Sequence, residues 1–141
     1  MTALSLTAAN AVIVATLAKG REMGLNPLSV AVLDAGGHLI AFSREDGASN
    51  LRPQIAVGKA AGALALGISS RKIGEMAAER PGFFTSLVPL ARDGIVAAAG
   101  GLLIVEEDGG VIGAVGVTGD LSDKDEACAM EGIVAAGFIA H

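Results

Sequence analysis

The chain has 141 residues, with 15 acidic and 10 basic side chains and a formal net charge of −5. This length fits one domain with a sizeable core, so we expect a single domain over residues 1–141. No run of Lys or Arg follows the spacing of a phosphate backbone, which argues against nucleic acid as a partner. The lone cysteine, Cys128, excludes an intramolecular disulfide and a cysteine-rich metal site, and we expect no bound metal.

Apolar residues make up 52% of the sequence but aromatic residues only 3%. The core must therefore be built from Ala, Val, Leu and Ile, with many glycines. Burying a further apolar face would add about 25 cal/mol per Å² to such a thin core, so we expect a homo-oligomer. No segment stays apolar for the roughly 18 residues that span a bilayer, and a signal-peptide pattern is missing. We expect a cytoplasmic protein that has no membrane partner.

The first elements are a helix and a β-hairpin. Helical spacing of apolar residues predicts a helix from Ala8 to Met23, and Gly24 supplies its stop signal. Two strands follow, over residues 28–34 and 38–43. Gly36 and Gly37 between them favour a tight hairpin turn.

A cluster of charge follows the second strand where the chain should leave the sheet. Arg44, Glu45 and Asp46 stand there, and Gly47 allows a sharp turn or a close approach to a ligand. Three charged residues and a glycine at a strand end are harder to explain by folding alone. We therefore place the candidate functional site here.

A helix over residues 54–66 follows the helix-entry pair Arg52-Pro53. It holds Lys59 among apolar residues, which has two interpretations. The stem of Lys59 can lie along apolar surface while its ammonium reaches water. Alternatively, Lys59 points towards the strand end of residues 44–46 and pairs there with an acid or a ligand anion.

After a short predicted helix over residues 71–79, Phe83 and Phe84 stand in a segment without a clean period. We interpret this segment as a loop. Its aromatic side chains either pack in the core or form a pocket wall or a subunit contact.

The last third predicts a second hairpin and a final helix. Strands over residues 100–106 and 111–119 flank the turn Asp108-Gly109-Gly110. Glycines at 113, 116 and 119 lack the order of a dinucleotide fingerprint, so we expect a helix or another subunit to pack directly on that strand. The helix is expected over residues 124–140, with the acids Asp123, Asp125 and Glu126 favouring its start. Together these elements predict an antiparallel sheet of four or five strands covered by helices.

The motifs from Asp34 to Leu39 and from Arg44 to Ala48, with the later glycine-rich hairpin, resemble the GlcG/HbpS family of haem-binding or haem-degrading-like domains. The chain is also similar to the carboxy-terminal domain of PduO-type corrinoid adenosyltransferases. The resemblance implies a profilin-like α/β sandwich with a five-stranded antiparallel sheet, assembled as tetramers or octamers. It also implies a small-molecule pocket near the strand end and an association with catabolism.

Two main hypotheses follow for the function. In the first, the protein binds haem or a related cofactor at a subunit interface. Arg44, Arg52 and Lys59 would face the propionates, and Phe83 and Phe84 would line the slot. The only histidines available as axial ligands are those at positions 38 and 141.

In the second hypothesis, the protein is a lyase, isomerase or hydrolase acting on a small carboxylate or oxygenated catabolite. Arg44 or Arg52 would clamp the carboxylate, Asp46 or Glu45 would be the general base, and Lys59 would steady an oxyanion. Gly47 would let the backbone approach the ligand. A third hypothesis is a non-catalytic accessory protein.

Overall fold

A computed structural model describes residues 3–141. It contains five strands and five α-helices within that range. The bounds in chain order are α1 Leu6–Glu22, β1 Ser29–Asp34, β2 Leu39–Arg44, α2 Arg52–Leu66, α3 Ser70–Glu79, α4 Pro81–Leu87, a 3₁₀ turn Val88–Leu90, β3 Gly101–Val105, β4 Val111–Thr118, α5 Ser122–Ala135 and β5 Ile139–Ala140.

The strands form one antiparallel sheet in the order β2-β1-β4-β3-β5. This confirms the predicted α/β sandwich with its five-stranded sheet and both hairpins. Each hairpin turn has a glycine at positive φ, Gly37 at 85° and Gly109 at 91°, a conformation that side chains with a Cβ rarely adopt. The two hairpins lie side by side because β1 pairs with β4.

Helices cover both faces of the sheet. Alternate strand residues point to opposite faces, so Val30 and Val32 join the core under α1 and α5, whereas Leu33 packs towards α2. The core is built from small and branched aliphatic side chains, as the composition predicts. The carboxyl end of β2 lies at the edge of this sandwich, close to the end of α1.

The glycines of β4 allow close packing, which the sequence predicts. A Cβ on Gly116 would overlap the backbone carbonyl of Ala56 in α2. A Cβ on Gly113 would press on the Leu33 carbonyl and the Leu4 side chain. The helix backbone of α2 therefore lies directly on the strand.

Two predicted elements were wrong in their details. The final helix does not run to residue 140, because it ends at Ala135 and Gly137 turns the chain at φ 92°. Ile139 and Ala140 then pair with β3 as the fifth strand. The segment with Phe83 and Phe84 is the helix α4, which begins at Pro81, and not a loop.

Among residues 3–141, no helix combines the length and the apolar character needed to cross a bilayer.

Candidate functional site

The residues at the exit of β2 line a surface groove of about 430 Å³. Its polar side is the predicted cluster, and its apolar side comes from the last turns of α1 and the segment after it. The lining residues are Leu17, Arg21, Leu25, Pro27, Arg44, Glu45 and Asp46. The groove therefore has the mixed lining expected of a small-molecule site.

Glu45 fixes the geometry of this groove. Its Oε1 accepts a hydrogen bond of 2.8 Å from the Leu28 backbone N–H, and its own N–H donates to the Leu28 carbonyl at 2.9 Å. Its Oε2 lies 3.5 Å from Arg21 Nη1. Both carboxylate oxygens are thus engaged, and Glu45 holds the strand exit against the start of β1.

Gly47 makes the turn that follows. Its φ of 86° lies in the left-handed region, and a Cβ there would stand 3.6 Å from Pro27 Cγ. Within residues 3–141, Arg44 and Asp46 make no ion pair shorter than 4.0 Å, and both side chains are exposed. They are therefore available to a ligand.

Arg52 lies near the groove but not on it. It is the first residue of α2, and its Nη1 donates to Thr118 Oγ1 at 2.7 Å. Thr118 lies across from Ser29 in the sheet, and Ser29 lies across from Arg44. Arg44 and Thr118 are therefore two strand spacings apart at one end of the sheet, and Arg52 reaches the same end from α2.

Lys59 lies in the interior instead of the groove. Its Nζ donates to the Val117 carbonyl at 2.9 Å and lies 3.4 Å from Asp125 Oδ2, with side-chain exposures of 3% and 1% for the two partners. Burial lowers the pKa of Lys59, and the positive charge of Arg52 adds to this, whereas Asp125 opposes it. Burial raises the pKa of Asp125, which Lys59 partly offsets. The pair joins α2, β4 and α5.

The sequence analysis placed Asp125 at the start of the final helix and did not predict that it would pair with Lys59. A usable signal is its spacing to Cys128, Ala129 and Gly132, which places it on the buried face of α5. The neighbouring acids, Asp123 and Glu126, bind Arg71 on α3 at 3.0 Å each. The apolar side of the groove was also missed, because Leu17, Leu25 and Pro27 come from a segment that precedes the strand exit by about 20 residues.

Phe83 and Phe84 lie apart from the groove. They belong to α4, which packs against α3 and the 3₁₀ turn. Phe83 is exposed, and the Arg80 guanidinium lies 4.2 Å from the centre of its ring. The two aromatic side chains therefore do not line the strand exit within one subunit.

Other reactive side chains stand outside the groove. Cys128 is fully buried, and burial raises the pKa of its thiol to about 11, so it is protonated at neutral pH. His38 sits in the first hairpin turn with its Nδ1 3.3 Å from Asp34 Oδ1. Residues 3–141 contain no group of three or more His, Cys, Asp or Glu side chains arranged to hold a metal ion.

The comparisons with solved structures give the same fold over almost the whole chain. A PduOC–haem complex matches with 23% identity and a TM-score of 0.87, covering 99% of both chains. Protein ORFY of Klebsiella pneumoniae, from the DUF336 family, matches with 26% identity and a TM-score of 0.85, covering 96% of this chain and 92% of the other. HbpS matches with 25% identity and a TM-score of 0.83, covering 97% and 92%.

No curated protein matches the sequence significantly. The family model described as haem degrading protein HbpS-like matches residues 4–134. This span covers nearly the whole chain and includes every residue of the groove. The chain belongs to the HbpS-like family.

Proposed function

We propose that the chain is a small-molecule-binding protein that holds its ligand in the groove at the exit of β2. The observation that carries this proposal is that two exposed charged residues, Arg44 and Asp46, line the same groove as an apolar wall from α1. Binding sites combine such a wall with a few polar groups that orient the ligand. Family membership supports a small-molecule ligand, since relatives include a haem complex.

Haem with a protein-ligated iron does not fit this groove. An axial ligand is a His, Cys, Met or Tyr side chain, and none of these side chains from residues 3–141 lines the groove. His38 is exposed in a distant hairpin turn, and His141 is exposed at the chain end beside β3. The groove offers guanidinium groups for carboxylates instead, so a ligand would be held by its acidic groups and its apolar body.

The same groove could serve catalysis on a small carboxylate, with Arg44 as the clamp and Asp46 as the general base. Glu45 is already engaged by Leu28 and Arg21. Lys59 is turned to the interior, so any help it gives is indirect. We therefore place binding first and keep catalysis as the second candidate.

We further propose that the protein forms a homo-oligomer, as a tetramer or an octamer, with the ligand near a subunit interface. Large apolar side chains support this, because Leu39, Leu51 and Leu90 are 57%, 62% and 78% exposed. Sedimentation analysis should give a mass of four or eight times 13.9 kDa. A monomer mass would contradict it.

The binding proposal can be tested with two probes, hemin and a set of small carboxylates. Methyl NMR spectra should show shifts at Leu17 and Leu25 that saturate with one of these probes. Leu17→Gln should weaken that binding by about tenfold, because it places an amide on the apolar wall. Val14→Gln is the matched control on α1, since Val14 is exposed and does not line the groove. Equal effects of the two variants, or no saturable shift with either probe, would contradict the proposal.

A further inference from the structure

Three neighbouring strands place Arg44, Ser29 and Thr118 side by side. Ser29 is paired with Arg44 across β1 and β2, and with Thr118 across β1 and β4. Directly opposed residues carry their side chains on the same face, with Cβ atoms about 4.5–5.5 Å apart. Arg52 donates to Thr118 from α2, so the row lies on the face that α2 covers. We call Arg44, Ser29, Thr118 and Arg52 the arginine–hydroxyl row.

The hydroxyl at the centre of this row belongs to Ser29. Ser29 is fully buried, and its Oγ makes no hydrogen bond to any of residues 3–141. Buried hydroxyl groups are nearly always hydrogen-bonded, because leaving one unpaired is unfavourable. An unpaired hydroxyl donor in the same row as two arginines is what a site for an acceptor requires.

The two arginines of the row are not neutralised by ion pairs within residues 3–141. Among residues 3–141, neither Arg44 nor Arg52 has a carboxylate within 4.0 Å, whereas Glu45 contacts Arg21 and Asp125 contacts Lys59. Arg52 is also the first residue of the 15-residue helix α2, which starts without a side-chain cap. The positive end of the helix dipole therefore adds to the two arginines.

We propose that the arginine–hydroxyl row binds a carboxylate or phosphate group. Arg44 and Arg52 would bind its oxygens, because a planar guanidinium matches both anions with two parallel N–H donors. Ser29 would donate its hydroxyl hydrogen to a third acceptor position. Arg44 is exposed, so its side chain is free to adjust to the anion. Of these four residues only Arg44 lines the groove. Ser29, Thr118 and Arg52 lie on the face that α2 covers, opposite the α1 wall of the groove, so the row is a second anion site beyond the proposed function.

The test uses acetate and inorganic phosphate as separate probes, titrated at low ionic strength. The arginine Nε–Hε NMR signals of Arg44 and Arg52 should shift and saturate with at least one probe. Arg44→Gln, Arg52→Gln and Ser29→Ala should each raise the Kd by about tenfold, as expected for loss of a hydrogen bond to a charged group. Arg92→Gln is the matched control for lost charge, because Arg92 is exposed and lies beside the first hairpin turn, at the opposite end of β1 from Ser29, and its Kd should stay within about twofold.

Saturation by acetate at lower concentration would identify a carboxylate, and saturation by phosphate a phosphate group. No saturation with either probe would overturn the inference, and so would an equal loss in Arg92→Gln or an unchanged Kd in Ser29→Ala. The thermal midpoint of Ser29→Ala should stay the same or rise. A fall would mean that the hydroxyl has a structural partner, which contradicts the row as described.

Failure of this inference differs from failure of the proposed function. If only the row fails, hemin or another probe still shifts the methyl groups of Leu17 and Leu25, but the arginine signals do not respond to acetate or phosphate. If only the groove fails, the arginine signals saturate with an anion while Leu17→Gln changes no binding.

Discussion

Replacing Lys59 with Met should cost the protein about 3–5 kcal/mol of unfolding free energy. The substitution removes the cation 3.4 Å from Asp125 Oδ2 and leaves that carboxyl group buried with 1% side-chain exposure. Removing one partner of a buried pair has this typical cost, because the other partner is left without compensation. A domain is stable by only about 5–15 kcal/mol, so the change is a large fraction of the total.

The second substitution, Asp125→Asn, should restore much of this loss when it is added to Lys59→Met. Asn keeps an oxygen for the Asp120 backbone N–H, which donates to Asp125 Oδ1 at 3.0 Å. It also removes the buried acid. The double variant should therefore be more stable than Lys59→Met, by about 2 kcal/mol or more.

Urea unfolding at pH 7 measures these differences by linear extrapolation. The thermal midpoint should fall by about 10–15 °C in Lys59→Met. Lys19→Met is the matched control, because Lys19 pairs with Glu22 at 3.4 Å on the exposed side of α1 and should cost less than about 0.5 kcal/mol. A loss below about 1 kcal/mol in Lys59→Met, or no recovery in the double variant, would refute the reasoning.

The remaining predictions concern pH, packing and the unpaired hydroxyl. In Lys59→Met, the folded-state pKa of Asp125 is raised above its unfolded value of 3.8, so stability relative to the double variant should be greatest below pH 3.8 and fall as pH rises through the folded pKa. In Asp125→Asn, the pKa of Lys59 is lowered below 10.5, so the unfolded chain binds more protons and stability should rise with pH up to that value. Urea unfolding measured at pH values from 3 to 10 checks the sign of both pH dependences. Parallel stability profiles of the variants would contradict them. Gly116→Ala should lower the unfolding free energy by at least about 2 kcal/mol, because the new Cβ would overlap the backbone of α2. Gly82→Ala is the control, because a Cβ there meets nothing within 4 Å among the described residues, and it should be neutral or stabilising in the same assay. Equal losses of stability in the two variants would contradict direct packing of α2 on β4. Ser29→Ala should raise stability by up to about 1 kcal/mol in ligand-free protein, since it removes an unpaired buried hydroxyl, and a loss in urea unfolding would count against this.

Local chemistry explains which parts of the fold could be predicted from the sequence. The hairpins follow from β-branched runs around glycine turns, and Gly37 and Gly109 do adopt the positive φ that such turns require. The two-residue strand at Ile139 and Ala140 has no pattern of its own, because only its pairing with β3 makes it a strand. The helix α4 is only seven residues long, which is too short for a clear helical period.

Only those residues of the site that come from one continuous segment could be predicted. The residues from Arg44 to Gly47 are contiguous, and their charge after a strand marks them. The partners of the others are remote in the chain: Lys59 meets Asp125 and Arg52 meets Thr118 across 66 positions each. Tertiary packing alone decides such pairs, so the apolar neighbours of Lys59 single it out but do not identify Asp125 as its partner.

The most direct test of the central claim is a crystal structure of the protein soaked with hemin and, separately, with the small carboxylate that binds best in solution. The account predicts ligand density in the groove at the exit of β2, with an acidic group near Arg44 and the apolar body against Leu17 and Leu25. Ligand density confined to another part of the molecule, with an unchanged affinity of Leu17→Gln for the same ligand, would contradict the account.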